Sequence, residues 1–385
     1  MNRDTRRSIY DQWSSIATAI AFMIVGPAIF LIMPVFVGAL AETLGFTDRE
    51  LGFVASADLA GMAVSSIFMV KLVRKRNWRW LAFTGLLISI LGNAASLALT
   101  EFTPVLVVRF LTGLGGGVVA GVVSAFIART SRPDRVAAFL VTGQVSFTVV
   151  VIAASPWYLT NWGLSSIYLG LAGLAIVLMF VLKQLPTGTE NYQAEAGLAT
   201  RRHFLIPVFV VLGALMFFFI GQASIWAFIE RMGNAGGLEA EFVAEALALS
   251  TLLGIAGAVA AAILDTRLGR FIPLLVAGTI QVMCLLVLLN GMDALVFLAA
   301  LSLFQFGWNF ALPYHIGVIV HRDPSASYVV LIPTFQAIGI ALGPAIAGLA
   351  VSGASYSGVN LISIIAIGIY LLMILPYSRM TTTER

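Results

Sequence analysis

Arg109-Phe110-Leu111-Thr112-Gly113-Leu114-Gly115-Gly116-Gly117, running on to Gly121, decides how this chain is read. The arginine opens an apolar segment that extends to about Ala128. In hydrocarbon such a charge costs about 3 kcal/mol on insertion scales and more in some calculations. A chain that keeps it there uses it, as half of an ion pair or as a functional group. Behind it, Gly113, Gly117 and Gly121 recur every four residues and share one helix face. A face without side chains lets a neighbouring helix backbone approach closely. The stretch therefore predicts a transmembrane helix with an intramembrane charge and a smooth packing seam.

The rest of the chain agrees. Its 385 residues are 60% hydrophobic and 10% charged, against about 25% charged in soluble domains. A globular core could not hide so much apolar surface, so lipid is the solvent for most of it. Twelve helices of about 20 residues would take roughly 250 positions and leave only short loops. The net charge of +4 comes from loop residues and implies no nucleic-acid partner. Cys284, the single cysteine, allows no disulfide within the chain. No signal peptide is expected, because the first apolar run is too long and lacks a small-residue cleavage site. His-Glu-x-x-His, Gly-x-Ser-x-Gly and Walker patterns are missing, and three histidines with one cysteine have no metal-binding spacing. Neither enzymatic activity nor a cofactor or metal is expected. Active transport would draw on an ion gradient.

In order, the first span runs over 15–39 with Pro27 and Pro34, and the second over 50–72 with Asp58. Span three ends near Leu99, span four runs from about Pro104, and spans five and six meet at Thr160-Asn161-Trp162-Gly163. The composition then turns polar from Gln184 to His203. Six more spans follow at 204–229, 243–264, 271–290, 294–320, 328–351 and 357–377. The expectation is an all-α integral membrane protein with twelve transmembrane helices in two pseudo-symmetric six-helix bundles. These are 1–183 and 204–385, joined by a linker at 184–203. Of the 22 Lys and Arg residues, 19 fall on the side of the termini, so both termini and the linker are placed in the cytoplasm. A bacterial cell inner membrane fits the lack of Asn-x-Ser/Thr sequons.

On these features the chain resembles the major facilitator superfamily over nearly its whole length. Three motifs carry or qualify the resemblance. The loop Leu264-Asp265-Thr266-Arg267-Leu268-Gly269-Arg270 is similar to the family's Asp-Arg-x-Gly-Arg loop, with one extra residue after the aspartate. The corresponding loop after span 2, from Met69 to Arg76, keeps the basic run and lacks the aspartate. Span 4 matches Arg-x-x-Gln-Gly-x-Gly at Arg109, Gly113 and Gly115, with Thr112 in place of the glutamine. In the family that arginine is linked to coupling with protons or substrate. The antiporter pattern of span 5 is not matched at Gly143-Gln144-Val145-Ser146-Phe147-Thr148. A similar pattern stands in span 11, at Gly339, Gly343, Pro344 and Gly348, where it implies a bend and tight packing.

The resemblance implies alternating access around a central cavity, by a chain that functions as a monomer. Protons are the expected coupling ion and a small, fairly apolar organic solute, an organic anion among the options, the expected cargo. Uptake is favoured over efflux because the span 5 motif is missing; a proton-driven efflux antiporter is the alternative. A receptor or an intramembrane enzyme fits less well, since no signalling domain or catalytic constellation is visible.

Asp58 lies about 5 Å from the centre of its span and Arg109 about 10 Å from the centre of span 4, on the same side. They are read as a proton-coupling pair, with a fixed structural ion pair as the plainer alternative. Spans 7 and 10 line the cavity in the resembled fold. There Gln222 and Trp226 stand at i, i+4, and Gln305, Trp308 and Asn309 share a face, giving with Arg109 the candidate substrate residues. The plainer reading of Trp226 and Trp308 is an interfacial aromatic belt. His315, near the end of span 10, reads as a surface-proximal histidine, and Glu230 as a solvated rim residue. Pro156-Trp157-Tyr158 reads as a bend with interface anchors.

Overall fold

The computed structural model describes residues 9–188, 205–265, 267–290, 293–322, 331–353 and 355–376. Arg3, Arg6, Arg7, the linker beyond residue 188, Thr266 and the first residues of the eleventh expected span lie outside them.

The described chain is helical: α1 Trp13–Val25, α2 Ala28–Leu31, α3 Met33–Leu44, α4 Asp48–Lys75, α5 Trp78–Ser96, α6 Phe102–Ile127, α7 Pro133–Ala153, α8 Ser155–Trp162, α9 Leu164–Val181, α10 Leu205–Ala235, α11 Ala240–Leu264, α12 Phe271–Asn290, α13 Ala294–Arg322, α14 Ile332–Ala350 and α15 Ser357–Ile374. Among the described residues, ten helices are long and apolar enough to cross a membrane. The other two expected spans are the 19-residue α5 and the first span, which is divided into α1, α2 and α3. A count of twelve fits.

The breaks follow from proline. Pro27 has no N–H to give and crowds the preceding turn. The interruption falls where Gly26 meets α6: a Cβ there would lie 3.1 Å from the carbonyl oxygen of Gly116. Span 5 breaks between α7 and α8 at Pro156, which leaves the carbonyl of Ile152 without its helical donor. Ser155 Oγ donates to that carbonyl at 2.7 Å. Trp157 beside it is 64% exposed.

Two compact units form. The first takes the chain up to Ile32, Ala57–Thr148, and from Asn161 to the end of the first half; the second takes Met33–Ser56, Val149–Thr160 and the second half. The division expected from linear order, 1–183 and 204–385, is thus crossed by two first-half segments that pack with the second half.

Unit one is built on α6. Gly113, Gly117 and Gly121 lie against Asp58, Met62 with Ser65, and Met69, so the four-residue repeat follows the backbone of α4. Gly115 faces Gly85 and Ser89 of α5, and Gly116 faces Gly26. Three helices seat on one glycine-rich helix, which glycine permits because it lacks a side chain. Just past the end of α6 at Ile127, Arg129 donates to the Tyr10 hydroxyl at 2.8 Å and stands over the Trp78 ring at 4.8 Å. Trp78 N–H bonds the Thr187 carbonyl at 2.8 Å and Arg79 Nε that of Leu185 at 2.6 Å, tying the chain after α9 onto α5.

Unit two is organised on α10. Gly339 and Gly343 of α14 lie against Phe219, Ile220 and Ala223, and Ser224 Oγ donates to the Gly343 carbonyl at 3.0 Å. Gly52, early in α4, sits on Pro344 and Gly348. Ala345 N–H donates to Ser56 Oγ at 2.8 Å, next to Pro344 inside α14. The glycine pattern of span 11 thus seats α10 on one side and the first turns of α4 on the other.

Candidate functional site

Within unit one, Arg109 enters the interior from the second turn of α6 and is 1% exposed. Its Nη2 donates to Asp58 Oδ2 in a salt bridge, and Nη1 donates to Asn93 Oδ1 at 3.0 Å. Its Cζ stands 5.6 Å from the centre of the Tyr168 ring. Asn93 is oriented in turn, its Nδ2 donating to the Ser89 carbonyl at 2.8 Å. Four helices therefore converge on one guanidinium: α4 with a carboxylate, α5 with an amide, α9 with an aromatic face, and α6 itself. A buried ion pair persists only when further hydrogen bonds satisfy its remaining groups, and Asn93 supplies one. A cavity of about 20 Å³ adjoins the pair, walled by Asp58, Ser89, Asn93, Arg109, Thr112 and the break at Gly26. That is room for about one water.

Asn93 and Tyr168 were not singled out in the sequence. Asn93 is the sole amide in the apolar run from Leu81 to Leu99, and that isolation was the available signal.

The second-half candidates are placed differently. Gln222 is 0% and Trp226 4% exposed, both inside the unit, so Trp226 is not an interfacial tryptophan facing lipid. Neither amide atom of Gln222 has a hydrogen-bond partner among the described residues. Trp308 is half-buried with its ring centre 6.3 Å from that of Phe219 on α10. Asn309 lies against Gly254 of α11, donating to the Gln305 carbonyl at 3.1 Å, while Gln305 itself is 5% exposed. Trp308 and Asn309 thus address different helices.

His315 departs from its surface-proximal reading. It is 1% exposed, with its ring centre 4.7 Å from Phe218 and 5.2 Å from Tyr370. Proximity to a helix end in sequence did not place it at the surface, because aromatic residues of α10 and α15 close over it. In the motif loop, Asp265 ends α11 with φ at 48°, Gly269 turns with φ at 69°, and Arg267 is exposed. Arg270 packs against Gly317 of α13.

Unit two holds a second acid–arginine–tyrosine group. Thr47 and Glu50 form a capping box at the start of α4: Thr47 N–H reaches Glu50 Oε2 at 2.9 Å, and Glu50 N–H reaches Thr47 Oγ1 at 3.4 Å. This fixes Asp48 on the first turn. Arg231 Nε donates to Asp48 Oδ1 at 2.9 Å and to the Tyr356 hydroxyl at 2.8 Å, and that hydroxyl donates to Asp48 Oδ1 at 3.0 Å. Burial is the main cause that pushes the Tyr356 hydroxyl up to about 12, so it remains a donor at any physiological pH. A cavity of about 280 Å³ opens beside the group, reaching Glu42 and Asn234. Nothing in the sequence pattern singles out Arg231.

Among the described residues, no three His, Cys, Asp or Glu side chains are placed to hold a metal ion.

Comparison with known proteins agrees with this architecture. No curated protein matches the chain by sequence. A mutant form of the nucleoside transporter NupG superposes with a TM-score of 0.74 at 11% identity, covering 95% of this chain and 99% of that one. The xylose transporter XylE from E. coli, in a partially occluded inward-open conformation, gives the same score and identity, with 95% and 97% covered. A second NupG structure gives 0.72 at 13% identity, with 97% and 98% covered. At such identities the likeness is one of fold. The sequence itself matches the family model described as Major Facilitator Superfamily over residues 18–328. With that match across most of its length and this fold, the chain belongs to the Major Facilitator Superfamily.

Proposed function

We propose that the chain is a proton-coupled secondary transporter that moves a small, fairly apolar organic solute across a bacterial inner membrane by alternating access. The observation that carries this reading is the buried Asp58–Arg109 pair with a water-sized cavity beside it. An adjacent arginine favours the ionised form of a carboxylate over the neutral one. When solute or helix movement draws Arg109 away, the stranded carboxylate faces desolvation alone and takes up a proton. Binding and protonation are then linked through one bond. An anionic group on the solute would be the natural competitor for Arg109.

Trp308, Trp226 and Phe219 support an apolar solute, with Gln222, Gln305 and Asn309 as sparse polar contacts once the helices rearrange. NupG and XylE carry a nucleoside and xylose, also small organic solutes. Uptake is favoured, with proton-driven efflux as the alternative, and the chain works as a monomer. Both termini lie in the cytoplasm on the charge distribution of the loops. A cysteine at Thr189 should then resist impermeant thiol reagents applied from the periplasm, and labelling there would reverse the orientation. The transport reading is tested in proteoliposomes. A solute found by ligand-stabilisation screening should show counterflow without a gradient and accumulate when a proton gradient is imposed. Counterflow with no response to the gradient would remove the proton.

A further inference from the structure

Glu230, on α10, takes no part in the Asp58–Arg109 scheme. Its carboxyl group lies directly on Gly38 of α3, where a Cβ would come within 2.9 Å of the carboxyl carbon. Its Oε2 is buried and has no hydrogen-bond partner among the described residues. The Tyr158 hydroxyl of α8 is likewise buried without a partner, and it lies within electrostatic reach of Glu230. Among the described residues, the other charged or titratable groups near it are Glu42 on α3, Asp48 at the start of α4, Arg231 on α10 itself and Tyr356 ahead of α15. Asp48 and Tyr356 are already bonded to Arg231. Glu42 is exposed and adds a like charge.

As packed, the site suits a neutral carboxylic acid. A carboxylate oxygen buried without a donor keeps its desolvation cost, and a neighbouring carboxylate adds repulsion. The cavity of about 280 Å³ beside Arg231 and Asn234 is where an ionised side chain would find water. Gly38 also lines that cavity, so a carboxyl turning toward the water there would loosen its contact with α3.

We propose that Glu230 is a second proton-binding site, separate from Asp58, whose protonation holds α3 against α10 and whose ionisation releases it. The inference requires only an alternating-access transporter and is independent of the role given to Asp58 and Arg109.

The test uses the full-length protein in nanodiscs and needs no solute, so its failure is distinguishable from failure of the transport reading. With Cys284→Ser, a single cysteine at exposed Ala235, which lines the cavity, carries a bimane fluorophore. Emission is followed from pH 5 to 9. A titrating change of roughly twofold is expected, absent in Glu230→Gln and retained in Glu230→Asp with a shifted midpoint. Glu42→Gln, an exposed substitution safe for folding, should lower the midpoint by about half a pH unit, because removing a like charge eases ionisation. The same titration in Glu230→Gln would overturn the proposal. So would an unchanged midpoint in Glu42→Gln, which decides the matter if the Glu230 variants fail to fold.

Discussion

One helix, α4, carries two aspartates ten residues apart, and each meets an arginine and a tyrosine in a different setting. Asp58 meets Arg109, with Tyr168 under the guanidinium. Asp48 meets Arg231, with the Tyr356 ring centre 5.8 Å from the guanidinium carbon. The chemistry is the same and the burial is not. The arginine and aspartate side chains are 1% and 10% exposed in the first pair, 25% and 17% in the second. Removing one partner of a buried pair costs about 3–5 kcal/mol, because a charge is left alone in a dry interior. A half-buried pair loses less, because water replaces part of the lost partner. The first pair therefore opens only when another charge or a proton takes the vacated place, which is the requirement for coupling. The second, half-buried, opens at lower cost.

Four sets of substitutions test that contrast, from the largest expected effect on the fold down. Arg109→Ala should destabilise the protein by about 3–5 kcal/mol, read as thermal unfolding in detergent. Adding Asp58→Asn should restore much of that loss, since no buried charge then stands alone; additive losses would mean that the two side chains do not act as a pair. Gly117→Leu should cost about 1–3 kcal/mol or more, because its side chain would enter Met62 and Ser65 of α4. Normal yield and flux in that variant would contradict the close α4–α6 seam on which the buried pair depends. Arg231→Gln should cost clearly less than Arg109→Ala, because water reaches the half-buried pair, while shifting the balance between conformations, read by labelling of cysteines around the cavity. A loss as large as that of Arg109→Ala would erase the contrast. Trp308→Ala and Gln222→Ala should each weaken solute binding about tenfold with little loss of fold. Unchanged affinity in both would move the solute site elsewhere.

What the sequence could reveal follows the same divide. Asp58 and Arg109 were visible because a charge in an apolar run is costly and therefore conspicuous. The glycine seam was visible because its period matches a helix face. Asn93 and Tyr168 were harder to see, since one amide or one phenol per span has many ordinary explanations. The Asp48–Arg231–Tyr356 group was not legible: its members are 183 and 125 residues apart, and only the tertiary fold brings them together. The buried positions of Trp226 and His315 were hidden for another reason. In lipid, the face of a helix toward its neighbours and the face toward hydrocarbon are both apolar, so periodicity does not separate inside from outside.

The central claim is that Asp58 carries the proton and Arg109 is the partner that lets it go. Asp58→Asn tests it most directly, with energy-independent counterflow and proton-driven accumulation measured side by side in proteoliposomes. The account predicts that counterflow persists and becomes insensitive to pH, while accumulation against a gradient is lost. Full gradient-driven transport in Asp58→Asn would contradict it and leave the buried pair as a structural ion pair.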